Sequence, residues 1–190
     1  MIAEPVQLEV QPSQPEDRAA IRDILLTSGL FGKTDADCVD EMFTETWNAL
    51  QANPQADTYR WLSCFYSDSH VRRTSEVRRT LANKFAELLG FACFGTESMT
   101  HGTWDLFWVC VRPAARGQGV ARMLLQEAAS QARAQGARMM VIYTSSTAPY
   151  APARALYESQ GFVRTAVVPE YYDEGDDLFI YSKRLKEAGY

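Results

Sequence analysis

The most specific chemistry in the chain lies in Arg112-Pro113-Ala114-Ala115-Arg116-Gly117-Gln118-Gly119-Val120-Ala121-Arg122. Two glycines stand where an apolar strand gives way to a helical pattern. The unpaired N–H groups and partial positive charge of a helix N-terminus are therefore open to an approaching ligand. Glycine lets a phosphate come within hydrogen-bonding distance of that backbone, and the turn suits a pyrophosphate. A P-loop needs GxxxxGK followed by Ser or Thr, which is absent, and Gly117-Gln118-Gly119 completes only half of a GxGxxG dinucleotide fingerprint. A second polar group, Tyr143, Thr144, Ser145 and Ser146, leaves the end of an apolar strand, where open sheets commonly bind ligands. A third, Glu170-Tyr171-Tyr172-Asp173-Glu174-Gly175-Asp176-Asp177, gathers five acids and two aromatics. As a solvated hairpin it is ordinary; as a site it suits a cationic amine. Asp105 lies among Trp104, Leu106 and Trp108, where desolvation raises a carboxyl pKa.

The elements that position these groups follow from periodicity. Residues 6–10 alternate apolar and polar, a strand with one buried face. Ser13-Gln14-Pro15-Glu16 reads as a capping box, followed by a helix whose stripe is Ile21, Ile24 and Leu25 and which ends near Gly29. Val39, Met42, Phe43, Trp47 and Leu50 define a second helix, starting at Thr34 or Asp35 and stopped by Asn53-Pro54. Residues 59–66, 88–94 and 103–111 read as a meander of antiparallel strands. In the last of them, alternation places Asp105, Phe107, Val109 and Val111 on one face. Between the first two lies an insertion, 67–85, where Arg72, Arg73, Arg78 and Arg79 would pair along a short helix, either solvated or in contact with an anion. Val120, Met123, Leu124 and Ala128 mark a long helix running to Gly136. The strand at 137–144 is almost continuously apolar, as a strand buried beside a parallel neighbour must be. Strand, helix and strand over 103–144 thus form a right-handed βαβ unit. A short helix at 152–160 and strands at 162–168 and 178–184 complete the order.

Length and charge narrow the function. The chain has 190 residues, 46% of them hydrophobic, which fits a single domain, 1–190, with a sizeable core. Nineteen basic against twenty-four acidic residues leave a net charge of −5, which argues against nucleic acid as a partner. No apolar stretch approaches the ~20 residues needed to span a bilayer, and the N-terminus has neither a basic nor an apolar signal region. The four cysteines form no CxxC pair, and Cys64, Cys93 and Cys110 sit in apolar runs like buried free thiols. These features predict a cytoplasmic protein without a metal site. His70 and His101 fall in loops and read as surface residues, with His101 a weaker candidate base.

Val109-Cys110-Val111-Arg112-Pro113 followed by Arg116-Gly117-Gln118-Gly119-Val120-Ala121 resembles the acyl-CoA signature Q/R-x-x-G-x-G/A of the GNAT superfamily of N-acyltransferases. Ala153-Arg154-Ala155-Leu156-Tyr157-Glu158-Ser159-Gln160-Gly161-Phe162 resembles that superfamily's A-x-x-L-Y-x-x-x-G-F segment. The two motifs stand in the right order, and the resemblance covers residues 88–185. It implies an α/β (α+β) fold: a central mixed, mostly antiparallel twisted sheet of about seven strands with a splayed parallel pair formed by the fourth and fifth, flanked by about four helices.

The resemblance also implies roles. Pantetheine would run along the main chain of Val109, Cys110 and Val111. The amides of Gln118, Gly119, Val120, Ala121 and Arg122 would hold the pyrophosphate, with Arg116 and Gly117 shaping the turn. Tyr150 stands where many relatives place a cofactor-contacting asparagine, a contact that its hydroxyl or Ser146 would replace. Tyr157 matches the general acid that protonates the leaving thiolate. Asp105 matches a catalytic glutamate in position, either as base or as the group orienting a water. Tyr143, Thr144, Ser145, Tyr171, Tyr172 and Asp176 would face the acceptor. The implied activity is acetyl transfer from acetyl-CoA to a primary amine of a small molecule or amino-acid-like substrate, by a monomer or homodimer. Two alternatives are a protein lysine or N-terminal acetyltransferase and a non-catalytic acyl-CoA sensor.

Overall fold

The computed structural model describes residues 7–67 and 87–186. Its strands are β1 (Gln7–Pro12), β2 (Arg60–Ser67), β3 (Gly90–Thr96), β4 (Thr103–Val111), β5 (Met139–Ser145), β6 (Val163–Asp173) and β7 (Asp176–Arg184). Its helices are α1 (Arg18–Thr27), α2 (Lys33–Ala52), α3 (Val120–Ala134) and α4 (Ala151–Ser159). The strands form one sheet in the order β1-β2-β3-β4-β5-β7-β6. Every neighbouring pair is antiparallel except β4 and β5, joined by the α3 crossover. The arginine-bearing helix expected in the insertion, and His70, fall on residues 68–86, outside the described residues.

Each face of the sheet is covered by one pair of helices. On one, Val120, Leu124, Leu125, Ala128 and Ala132 of α3 and Tyr157 of α4 pack on Leu62, Ala92, Phe94, Trp104, Leu106, Met140, Ile142 and Tyr181. The α3 residues recur at three- and four-residue spacing, a stripe that only burial against the sheet can keep from water. On the other face, Ile21, Ile24 and Leu25 of α1 and Ala36, Val39 and Phe43 of α2 cover Trp61, Phe91, Cys93 and Cys110. Cys64, Cys93 and Cys110 are buried free thiols, and Cys38 is exposed.

Three details differ from the expectations of the sequence. The start of α1 is capped one residue later than the Ser13 to Glu16 box: the Asp17 carboxylate accepts the Gln14 amide at 2.9 Å, while Ser13 is buried and its hydroxyl meets that of Ser63 at 2.8 Å. Pro15 and the strand pairing of the preceding chain fix this register, because Ser13 still donates its amide to Trp61 O. Much of the acidic hairpin is strand, since β6 runs to Asp173 and only the tip turns. Finally, the expected alternation of β4 fails at Phe107, which decides the geometry of the site.

Candidate active site

Cys93 pairs with Trp108 but Phe94 pairs with Leu106, so Phe107 has no partner on β3 and forms a bulge. A bulge shifts the side-chain alternation by one residue and re-aims the side chains beyond it. Trp104 and Leu106 face α3 and α4, and after the bulge Val109 and Val111 pack on that same core. Trp108 and Cys110 join the core under α1 and α2. Asp105 and Phe107, alternating with Trp104 and Leu106, face the α1 and α2 side. The single face predicted for Asp105, Phe107, Val109 and Val111 is therefore split: Val109 and Val111 lie opposite Asp105.

The same stretch separates β4 from β5. Their pairing runs from Thr103 opposite Met139 to Leu106 opposite Ile142 and ends there. Beyond it, Val109, Cys110 and Val111 still pair with β3, and Tyr143, Thr144 and Ser145 still pair with β7. The facing edges of β4 and β5 thus open into a notch with unpaired main-chain groups, into which an extended chain can add as a strand.

At the end of β4 the turn takes the form the glycines predicted. Gly117 and Gly119 have φ of +76° and +89°, backbone that residues with a side chain rarely adopt, and a methyl group at either would meet nothing within 4 Å. Gly119 caps α3, and Met123 is the first residue to close a helical bond, at 3.0 Å to Gly119 O. The amides of Gln118, Gly119, Val120, Ala121 and Arg122 have no acceptor among the described residues. Open space, aligned donors and the helix dipole form a cradle suited to an anion. Side chains brace it from outside. Arg116 donates to Ser28 O at 2.6 Å, tying the turn to the end of α1, and Gln118 accepts from the Tyr66 hydroxyl at 2.7 Å while donating to Ala114 O at 3.0 Å. Arg122 is exposed.

Asp105 is 4% exposed, and its Oδ1 is buried without a hydrogen-bond partner among the described residues. Burial, and then the neighbouring carboxylate of Glu97, push its pKa up to about 7. Tyr143, half exposed on β5, stands nearby: burial, then the charges of Asp105 and Glu97, raise its phenol. Tyr157 on α4 is buried on the far side, edge-on to Tyr181 at 5.8 Å and tilted against Phe162 at 6.4 Å. Burial lifts its phenol well above the ordinary value, so it stays protonated throughout the working range. Tyr150 is half-buried between the two sides; its ring meets Phe31 at 6.3 Å, and Phe31 meets Trp108 at 5.3 Å. Desolvation and the charges of Asp35 and Asp176 raise the Tyr150 phenol.

The remaining predicted residues fall into two groups. Ser145 donates to Asp176 Oδ1 at 2.6 Å, Ser146 accepts the Asp177 amide at 2.9 Å, and Thr144 is buried, so these hold the β6–β7 hairpin against the end of β5. Arg154, donating to Ser145 O and Thr147 O at 2.8 Å, locks the same junction from α4. Tyr171 and Tyr172, set at right angles 5.0 Å apart, remain exposed at the mouth. Phe31 and Glu97 were not read from the sequence as site residues. Phe31 sits in a helix-to-helix loop whose placement only packing decides. Glu97 lies in the turn between the strands at 88–94 and 103–111, and only the β3–β4 register brings it beside Asp105. His101 stays exposed in that turn.

Comparison with known proteins agrees with this geometry. A family model described as acetyltransferase (GNAT) family matches residues 39–162. A solved structure of a candidate GNAT acetyltransferase from Desulfovibrio desulfuricans is 28% identical, with TM-score 0.76, covering 95% of this chain and 100% of that one. The yncA acetyltransferase of Salmonella typhimurium, solved with its cofactor acetyl-CoA, is 22% identical with TM-score 0.67, covering 96% of each chain. The ribosomal-protein-S18-alanine N-acetyltransferase from Escherichia coli is 18% identical with TM-score 0.67, covering 96% of this chain and 97% of that one. None of the curated proteins compared matches the chain. With the splayed strands, the glycine cradle and the family match in agreement, the chain belongs to the GNAT family of acetyltransferases.

Proposed function

We propose that this protein transfers the acetyl group of acetyl-CoA to a primary amine of a small or amino-acid-like acceptor, by direct attack while both are bound. The observation that carries the reading is the notch: β4 and β5 part after Leu106 and Ile142, and the opening leads to a helix N-terminus with free amides. Acetyl-CoA supplies an activated acyl carbon. The amides of Gln118 to Arg122 take its pyrophosphate, with Gly117 and Arg116 holding the turn, and the main chain of Val109, Cys110 and Val111 takes its extended arm. Tyr150 and Ser146 border that path.

Asp105 draws a proton from the acceptor's ammonium so that the nitrogen lone pair is free, and a pKa near neutrality matches that task. Tyr157, protonated at every working pH, gives its proton to the departing thiolate and regains one from the nitrogen through solvent. Tyr143, Tyr171 and Tyr172 wall the acceptor side, where aromatic faces and carboxylates attract a cation. Ser145, Thr144 and Asp176 keep that wall in place. The protein works in the cytoplasm, as a monomer or homodimer.

The test is calorimetric titration with acetyl-CoA, followed by CoA-thiol release against amines, amino acids and short peptides. Binding with release on small amines supports the reading. Release confined to peptides moves the acceptor to proteins, and absence of binding removes the cradle and the notch as a cofactor site.

A further inference from the structure

We propose that Glu97 is the positioning residue that makes Asp105 a base: its carboxylate receives, as a hydrogen bond, the proton that Asp105 takes from the acceptor's ammonium. This rests on the acetyl-transfer reading.

The geometry comes from the hairpin between β3 and β4. Gly95 is the residue directly opposite Asp105. Glu97, two positions further, has the same orientation as Gly95, so it is the diagonal neighbour of Asp105 on that face. Gly95 places no side chain of its own beside Asp105, and the space over it is lined by the Phe107 ring and Tyr59. The backbone at Glu97 is fixed from both sides, its amide donating to Thr103 O at 2.9 Å and its carbonyl accepting from Thr100 Oγ1 at 2.9 Å. Asp105 is buried, with Oδ1 lacking any partner among the described residues, an arrangement costly for a carboxylate unless a proton or a cation arrives there.

Among the described residues no cation competes for this pair. Neither carboxylate forms an ion pair among the described residues. Tyr143 faces Asp105 from β5, and Tyr59 and Cys93 line the same side; burial raises all three, so they remain neutral. Arg138, near the hairpin, spends its Nε on His101 O at 2.7 Å. With the Glu97 carboxylate as its neighbour, buried Asp105 holds an arriving proton more strongly, because that proton removes the repulsion between them.

The step balances simply. The ammonium N–H bond breaks and its electron pair stays on nitrogen. The proton bonds to Asp105, and the resulting O–H donates to Glu97. The doubly ionised pair attracts a single primary ammonium and, once it has taken the proton, carries one negative charge. The site thereby selects acceptors that bring a protonated amine.

The test has two readouts on the full chain. The first follows the Asp105 side-chain carboxyl by carbon NMR during pH titration, with no substrate present. The expected midpoint lies near 7 in the wild type, at least one pH unit lower in Glu97→Gln, and between the two in Glu97→Asp. An unchanged midpoint in Glu97→Gln overturns the pair, whether or not an acceptor is known. The second is the pH profile of kcat/KM. Its acidic limb should move with the NMR midpoint in each variant, so that Glu97→Gln keeps about fivefold more of its plateau rate one unit below the wild-type limb. A limb that stays in place while the NMR midpoint moves overturns the role in catalysis. A wild-type enzyme that releases no CoA with any amine sinks the acetyl-transfer reading instead, leaving the titration to judge the pair.

Discussion

Two side chains with opposite demands stand on opposite sides of the notch. In the proposed transfer Tyr157 keeps its proton until a thiolate appears, and burial against Phe162 and Tyr181 favours that. Tyr157→Phe keeps the packing but removes the donor, so the transfer rate should fall roughly 10²-fold with CoA affinity nearly unchanged. A wild-type rate in this variant would remove Tyr157 as the acid. Asp105 is the proposed proton acceptor, and its raised pKa has a consequence for stability. The folded protein holds a proton on Asp105 between about pH 4 and 7 that the unfolded chain has released. Its contribution is therefore fully present below the ordinary carboxylate range and is lost as pH rises through about 7. Asp105→Asn should flatten the decline in Tm over that interval and raise Tm at pH 8; thermal melts across pH check it, and an unchanged slope would show that Asp105 ionises freely.

At the scale of elements, the bulge at Phe107 and the turn at 116–119 act together. The bulge sends Asp105 to one face and Val109 to the other, and the strands then part. The turn starts α3 with amides that have no acceptor among the described residues. Because a side chain at Gly119 meets open space, a substitution there strains φ by about 1–2 kcal/mol without disturbing the core. Gly119→Glu should thus remain folded while losing at least tenfold in acetyl-CoA affinity, through bulk and like charge at the phosphates. Gly119→Ala should lose only a few-fold. Calorimetry on both separates the two effects, and equal affinity in all three proteins would place the pyrophosphate elsewhere.

Across the whole molecule, the two cores brace the notch from either face. Leu124 of α3 is fully buried against the sheet, and the helix it anchors also presents the cradle. Leu124→Ala should cost about 2–5 kcal/mol of stability by denaturant unfolding. It should also weaken acetyl-CoA binding, because α3 must hold its N-terminus in line with the notch. A loss of stability with affinity intact would mean the cradle is held by the Arg116 and Gln118 contacts alone. A cleft of about 560 Å³ lies between α4 and the β6–β7 pair, lined by Arg154, Arg164, Phe179 and Tyr181.

Local physics made much of this legible in the chain itself. Apolar spacing determined α1, α2 and α3, the continuous apolar run of 139–142 marked β5 as a buried parallel strand, and Gly117 and Gly119 marked the positive-φ turn into α3, since each of these depends on neighbours a few residues away. The bulge, the diagonal meeting of Glu97 with Asp105, and the seating of Phe31 against Trp108 and Tyr150 were decided only by tertiary structure. Each depends on cross-strand register or on packing between elements distant in the chain, and a one-residue slip in register, which no local pattern around Phe107 announces, exchanges the two faces of a strand.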